Sequence, residues 1–176
     1  MPLLKNNVLV PDSWTHAEAE GELPAAGDVS VPFARLQTDW DTLSSRPGRL
    51  GLRFSNTDKP ESLANMLPRL SLIVLPFPAF NDGRAYSIAR SLREMGYKGE
   101  LRATGNVLPD QLQFMLQVGF DSFEIGERFP LETWQKASHQ MSLAYQRGLF
   151  RRANEAEIWT ERHTDAEPWL EQPHAG

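Results

Sequence analysis

The segment Leu70-Ser71-Leu72-Ile73-Val74-Leu75 is the most continuous apolar run of the chain. Such a run is typical of a strand that is buried on both faces, as the strands of parallel sheets are. We expect Pro76 and Pro78 to end the strand, because proline has no backbone N–H to donate to a neighbouring strand. The residues that follow have helical spacing, with an apolar face made of Ile88, Ala89, Leu92 and Met95. The pattern therefore predicts a buried strand followed by a helix.

The same pattern of a strand and then a helix occurs four times between residues 50 and 147, with strands that begin near residues 50, 71, 100 and 121. We expect the helices to follow Asp58, Gly83, Pro109 and Pro130, the last of them extending to Arg147. This alternation predicts an α/β fold with a mainly parallel sheet and right-handed crossovers. Four units are half of an eight-stranded barrel or most of an open doubly wound sheet, and both arrangements stay open.

Three segments are expected along the chain. Residues 1–48 form an irregular N-terminal extension that packs on the core and contains short β-like runs at 8–10 and 28–31. Residues 49–147 form the core of repeated strand–helix units. Residues 148–176 are polar and interrupted by prolines, so we expect a tail that is loosely held or docks on a partner.

Composition excludes several classes of protein. The chain has 176 residues, no cysteine and a formal net charge of −5, from 18 basic and 23 acidic side chains. This length predicts one domain with its own core, and the absence of cysteine excludes disulfides and cysteine-ligated metal clusters. The negative charge disfavours nucleic acid as a partner, and no apolar run is long enough to cross a membrane. A cytoplasmic protein is therefore expected.

Motifs for common cofactors are absent. The sequence has no dinucleotide-binding glycine motif after a strand, no phosphate-binding P-loop and no nucleophile elbow. The four histidines are not spaced as metal ligands, so no metal site is predicted: His16, His139, His163 and His174. No cofactor is evident, although a flavin stays open. Six aromatic residues are expected to fill the core rather than to line a cofactor pocket: Phe77, Phe80, Tyr86, Phe114, Phe120 and Phe123.

Ligands in parallel α/β folds bind beyond the carboxyl ends of the strands, which here selects the loops at 55–58, 77–84, 105–108 and 126–128. In the second loop, Asp82 and Arg84 flank a glycine where a helix begins, and this position favours a bound anion. In the alternative interpretation, Asp82 caps the helix and Arg84 pairs with a neighbouring carboxylate.

Further candidates lie on the next two units. Arg102 lies within a buried strand and needs a partner, which is either a bound anion or Glu124. Asn106 follows that strand, and Asp110 and Gln111 begin the next helix, where an acidic residue is also favoured by the helix dipole. The predicted ligand-binding residues are therefore Arg84, Arg102, Asn106 and Gln111. Weaker candidates for acid–base catalysis are Asp82, Asp110 and Glu124.

Three segments carry a resemblance to a known family: FNDGRAYSIARSLR at 80–93, GELRATGNVLPDQ at 99–111 and GFDSF at 119–123. They resemble a bacterial family of unknown function labelled "oxidoreductase probably involved in sulfite reduction", whose members typically lie beside genes for assimilatory sulfite reductase. The family pattern has Arg-Cys before the Gly-Phe-Asp of the last segment, whereas this chain has Gln117 and Val118. A thiol at that position is therefore not available for redox chemistry here.

The resemblance implies an accessory protein of assimilatory sulfate or sulfite reduction. Such a protein would bind the sulfite reductase or another protein of the pathway, and a small oxyanion held by Arg84 and Arg102, with Asp82 orienting Arg84. Two alternatives stay open. One is an enzyme that uses Asp82, Asp110 and Glu124 on a small substrate, and the other is a pure interaction module, for which a homodimer would cover an open sheet edge.

Overall fold

One eight-stranded sheet organises the protein. The computed structural model describes residues 2–139 and the short segments 143–144 and 156–157. In chain order the strands of the sheet are β1 (Leu3–Lys5), β2 (Val8–Val10), β3 (Thr15–His16), β4 (Val29–Pro32), β5 (Leu50–Arg53), β6 (Leu70–Phe77), β7 (Glu100–Gly105) and β8 (Ser122–Glu124). The first four come from the N-terminal 48 residues, so this segment contributes half of the strands.

The order of the strands across the sheet is β2-β1-β8-β7-β6-β5-β4-β3. From β3 to β8 every neighbouring pair is parallel and consecutive in the chain, while β1 runs antiparallel to β2 and β8. Sequential parallel strands form the wall of a barrel, whereas a doubly wound sheet reverses its strand order at a switch point. The α/β prediction is therefore confirmed, and the half-barrel alternative is the one that forms.

A short connection forces this sheet to curl. The strands β2 and β3 lie at opposite edges of the sheet, yet only residues 11–14 join them. In a flat sheet of eight strands the two edges would be roughly 34 Å apart. The chain from Val10 to Thr15 can span at most about 18 Å. The four residues 11–14, here named the strap, must therefore cross the concave face and hold the sheet curved.

The helices cover the convex face. They are α1 (Phe33–Thr38), α2 (Trp40–Ser45), α3 (Arg84–Glu94), α4 (Leu112–Gln117) and α5 (Leu131–His139). Their buried side chains, such as Leu36, Ile88 and Trp134, join one apolar core with strand residues such as Ile73 and Leu101. Successive right-handed crossovers between strands in sequential order carry each helix to the same face. The opposite face is left to the strap.

Trp14 of the strap closes part of the concave face. It is buried together with Leu72 and Val74, which alternate along β6 with the residues of the main core. Gly51 on β5 lies beneath the indole, where an added Cβ would be 3.0 Å from Trp14 Cζ3 and 3.0 Å from Ser30 Cβ. The close approach of the indole to the sheet therefore depends on a residue without a side chain at this position.

Two predicted helices differ in the structure. The helix expected after Asp58 consists instead of two 3₁₀ turns, Pro60–Leu63 and Leu67–Arg69. Pro68 explains the break, because it lacks the N–H that a continuous α-helix would use. The helix expected to reach Arg147 ends at His139, and Leu143–Ala144 (β9) instead pairs in parallel with Ala156–Glu157 (β10).

The third predicted helix begins as a 3₁₀ turn, Pro109–Gln111, that leads directly into α4. The predicted tail at 148–176 lies outside the described residues, apart from β10. Within the described part of the chain, no helix has the length and hydropathy that are needed to span a membrane.

Replacing Gly51 with alanine is expected to destabilise the fold by about 1–3 kcal/mol, because the new methyl group overpacks the contact between Trp14 and the sheet. Urea denaturation measures this change. Gly126→Ala is the matched control, since a Cβ at Gly126 meets no atom within 4 Å. Equal stability of the two variants would show that Trp14 does not rest on Gly51.

Candidate functional site

The structure divides the predicted site residues among three places. Asp82, Arg84, Asn106 and Gln111 lie beyond the carboxyl ends of β6 and β7, on the loops there or in the first turn of the helical segments that follow, and are here named the loop cluster. Arg102 and Glu124 lie on the concave face, within β7 and β8. Asp110 lines a cleft beside α5.

Arg84 is bound by its own neighbour in the loop cluster. Its guanidinium donates to both carboxylate oxygens of Asp82, with Nε 2.9 Å from Oδ1 and Nη2 2.7 Å from Oδ2. The helix begins with Gly83 as its N-cap, while the backbone N–H of Arg84 also donates to Asp82 Oδ1. The Arg84 side chain holds the pKa of Asp82 well below its usual range. The alternative of an ion pair with a neighbouring carboxylate is thus the arrangement found.

Side-chain amides tie three neighbouring loops together. Asn106 Nδ2 donates to the carbonyl oxygen of Pro78 at 2.7 Å, and Gln111 Nε2 donates to that of Phe80 at 2.8 Å. Asn56 Nδ2 donates to the carbonyl oxygen of Pro76 at 2.8 Å. These amides fix the loop that carries Asp82 and Arg84. Sequence reasoning missed Asn56, although it lies in the first of the four loops that follow strands.

Arg102 is enclosed on the concave face with only 1% of its side chain exposed. Its Nη1 lies 2.8 Å from Asp12 Oδ2 and 3.7 Å from Glu124 Oε1, and its Nη2 lies 3.1 Å from Glu100 Oε1. The predicted pair with Glu124 therefore exists, but it is the longest of the three. The carboxylate of Asp12 comes from the strap, and no pattern in the sequence links it to a residue ninety positions away.

Burial and hydrogen bonds oppose each other in setting the charge of this cluster. Burial disfavours ionisation of Asp12, but hydrogen bonds from His16, the Trp14 backbone and Arg102 outweigh it and lower the pKa of Asp12. Burial likewise disfavours ionised Glu100, and hydrogen bonds from Lys5 and Ser122 together with the charge of Arg102 lower its pKa. Both carboxylates are therefore ionised at neutral pH.

His16 extends the cluster towards β4. Its Nδ1 lies 2.6 Å from Ser30 Oγ, and its Nε2 lies 3.0 Å from Asp12 Oδ2. The order serine, histidine, aspartate is that of a hydrolytic triad. Ser30, however, is fully buried in the sheet, so its hydroxyl cannot reach a substrate. The chain of contacts therefore fixes the strap to β4.

Asp12, His16 and Glu124 also have the donor types of a divalent metal site, with their ligating atoms all within 4.8 Å of one another. Arg102 Nη1 already contacts the carboxylates of both Asp12 and Glu124. The guanidinium thus supplies positive charge at the point between them. This arrangement favours an internal ion-pair network over a metal site.

A cleft of about 570 Å³ opens between the 3₁₀ turn Pro109–Gln111 and α5. Asp110, Arg128 and Lys136 are exposed charged residues of its lining, and Phe129 is a half-buried apolar one. Within the part of the chain that the structure describes, no ion pair involves any of the three charged side chains. Sequence reasoning did not single out Arg128 or Lys136, although Arg128 belongs to the loop after the fourth predicted strand.

Two aromatic side chains expected in the core are on the surface. Phe80 is 62% exposed and Phe114 is 52% exposed, and the Tyr86 ring centroid lies 4.9 Å from that of Phe114. We name these three residues the aromatic patch: the rings of Tyr86 and Phe114 are in contact, and the backbone of Phe80 is joined to the start of α4 by the hydrogen bond that Gln111 donates. The helical spacing could have predicted the exposure of Phe114, because this residue lies off the apolar face made by Leu112, Met115 and Leu116. Phe77, Phe120 and Phe123 are buried as predicted.

Comparison with known proteins gives a family match without a described function. Residues 51–154, more than half of the chain, match the model of a family described as bacterial protein of unknown function (DUF934). No curated protein and no solved structure gives a significant match. The matched range includes the loop cluster, the aromatic patch and the cleft, whereas the strap lies before it.

Replacing Arg102 with methionine is expected to destabilise the protein by about 3 kcal/mol at pH 7, since the three carboxylates lose their common partner. This value is at the lower end of the range for a broken buried pair, because the carboxylates are partly exposed. Chemical denaturation of both proteins measures the difference.

The difference in stability between wild type and Arg102→Met should shrink as the pH falls. Asp12 and Glu100 have folded-state pKa values below the ordinary 3.8 and 4.5. Their ionised forms therefore stabilise the wild type fully at a pH above the ordinary pKa values. This contribution is lost as the pH falls through the lower folded-state pKa values. Denaturation between pH 7 and pH 3 tests this, and a difference independent of pH would contradict the ion-pair account.

Proposed function

Because the chain belongs to the bacterial family DUF934, whose function is unknown, we propose a role from its surface and from the resemblance of its motifs. We propose that it is an accessory protein of assimilatory sulfate or sulfite reduction that binds the sulfite reductase. The pathway rests on the likeness of residues 80–93, 99–111 and 119–123 to the family associated with sulfite reduction. The binding role rests on the geometry.

The aromatic patch is the observation that carries the binding role. Phe80 and Phe114 expose 62% and 52% of their surfaces to solvent, where no described part of the chain covers them. Large aromatic side chains dominate the binding energy of many protein interfaces. Gln111 holds the backbone of Phe80 and precedes Phe114 by one helical turn, so the two rings are carried on connected elements. A fixed loop loses little entropy when a partner binds.

The candidate catalytic residues give less support to the enzyme alternative. Asp82 is held by Arg84 in the loop cluster, Glu124 lies on the concave face, and Asp110 lies at the cleft. Acid–base catalysis by carboxylates needs groups that converge on one reacting atom. Three groups in three places do not provide this convergence.

The predicted anion ligands are also engaged. Arg84 donates two hydrogen bonds to Asp82, and Arg102 contacts three carboxylates with 1% of its side chain exposed. A sulfite or sulfate ion would have to displace the carboxylates around Arg102, and at Arg84 it would compete with the charge of Asp82. The assignment of Arg84, Arg102, Asn106 and Gln111 to a bound oxyanion stays a prediction, and the protein partner is favoured.

Binding of the purified assimilatory sulfite reductase from the same bacterium tests the proposal. Phe80→Gln and Phe114→Gln together should weaken binding at least about tenfold, as expected for aromatic residues at the centre of an interface. Biolayer interferometry with the immobilised reductase measures the dissociation constant. The matched control is Val8→Thr with Leu9→Thr, which removes exposed apolar surface from β2 instead. No binding of wild type, or equal binding of both double variants, would contradict the proposal.

Growth of a deletion strain tests the pathway separately. Loss of the protein should slow growth when sulfate is the sole sulfur source, because sulfite reduction is then required. Growth with cysteine should be unaffected, and the wild-type gene should restore growth on sulfate. The same growth rate as the parent strain on sulfate would exclude a required role in this pathway.

A further inference from the structure

We propose that the cleft beside α5 binds a small organic anion with an apolar body and one phosphate, sulfonate or carboxylate group. This site shares no residue with the aromatic patch and does not depend on the proposed partner. The cleft lies beyond the carboxyl ends of β7 and β8, between residues 108–110 and 128–137. That end of a parallel sheet is where α/β proteins bind ligands.

The charges at the cleft select an anion. Arg128 and Lys136 are both exposed, and neither forms an ion pair with a carboxylate in the described part of the chain. Asp110 is the acidic residue of the lining, so the cleft has one positive charge in excess. The whole chain has a net charge of −5, which makes a local excess of positive charge distinctive. Such cations bind oxyanions through charge-assisted hydrogen bonds.

The rest of the lining selects an apolar body. Leu108, Pro109, Phe129 and Ala137 supply apolar surface to the cleft. The Arg128 guanidinium carbon lies 5.1 Å from the centre of the Phe129 ring, so an anion held by Arg128 lies close to an aromatic face. The volume of about 570 Å³ far exceeds that of a bare sulfite or phosphate ion and falls in the usual range for small-molecule sites.

A pair of fluorescent probes with the same aromatic rings tests both halves of the proposal. 8-Anilinonaphthalene-1-sulfonate carries one negative charge, and N-phenyl-1-naphthylamine has the same ring system without the sulfonate. At pH 7 and low salt, the full-length protein should bind the sulfonate at a single saturable site. The uncharged probe should bind at least about tenfold more weakly, since it cannot accept a charge-assisted hydrogen bond.

Variants then place the probe in the cleft. Arg128→Gln with Lys136→Gln should weaken binding of the sulfonate at least about tenfold. Arg90→Gln with Lys98→Gln removes the same charge from exposed positions away from the cleft and should leave binding unchanged. Thermal unfolding checks that both double variants are folded, which is expected because all four side chains are exposed.

Three results would overturn the proposal. They are no saturable binding of the sulfonate by wild type, equal affinity for the charged and uncharged probes, and equal loss of affinity in the two double variants. Loss of reductase binding by the aromatic-patch variant leaves the result at the cleft unaffected, because the two experiments change different residues.

Discussion

The ion-pair network around Arg102 is the interaction that holds the strap in place across the concave face of the curled sheet. A buried guanidinium is costly unless it is paired, and here the paired groups come from the strap, from β7 itself and from β8. Asp12 is the group that ties the strap to the sheet, and the strap is the short connection that keeps the sheet curved. His16 and Ser30 continue the contacts to the far edge of the sheet. Polar contacts, together with the apolar contact of Trp14 on β6, thus close a face that the helices leave uncovered.

The same topology places the surfaces to which we assign binding. Sequential parallel strands bring the loops after β5, β6 and β7 side by side, and the amides of Asn56, Asn106 and Gln111 join them through backbone carbonyls. The aromatic patch lies on these fixed loops and on α3 and α4, and the cleft follows on the next loop and α5. Both lie in the range that matches DUF934, so the family match covers the part of the chain with exposed binding features.

The sequence predicted those strands and helices that depend on interactions between residues close together in the chain. The apolar run of β6 and the helical spacing of α3 appear in the structure, because burial and periodicity act over a few residues. The partners of Arg102 could be predicted only in part. Glu124 lies on the next strand of the strand–helix repeat, whereas Asp12 is brought close to Arg102 only by the fold of the whole chain. The helix predicted after Asp58 fails at Pro68, a local signal that outweighs the apolar spacing around it. The choice between half-barrel and open sheet depended on strand order, which the repeat does not contain.

A double-mutant cycle between Asp12 and Arg102 tests the central claim most directly. The four proteins are wild type, Asp12→Asn, Arg102→Met and the double variant, and urea denaturation at pH 7 gives the free energy of unfolding of each. If this contact holds the strap against the sheet, the two changes should be coupled by at least about 1 kcal/mol, as is usual for residues in one network. Additive effects within about 0.5 kcal/mol would show that the strap is held by other contacts, and would contradict the account.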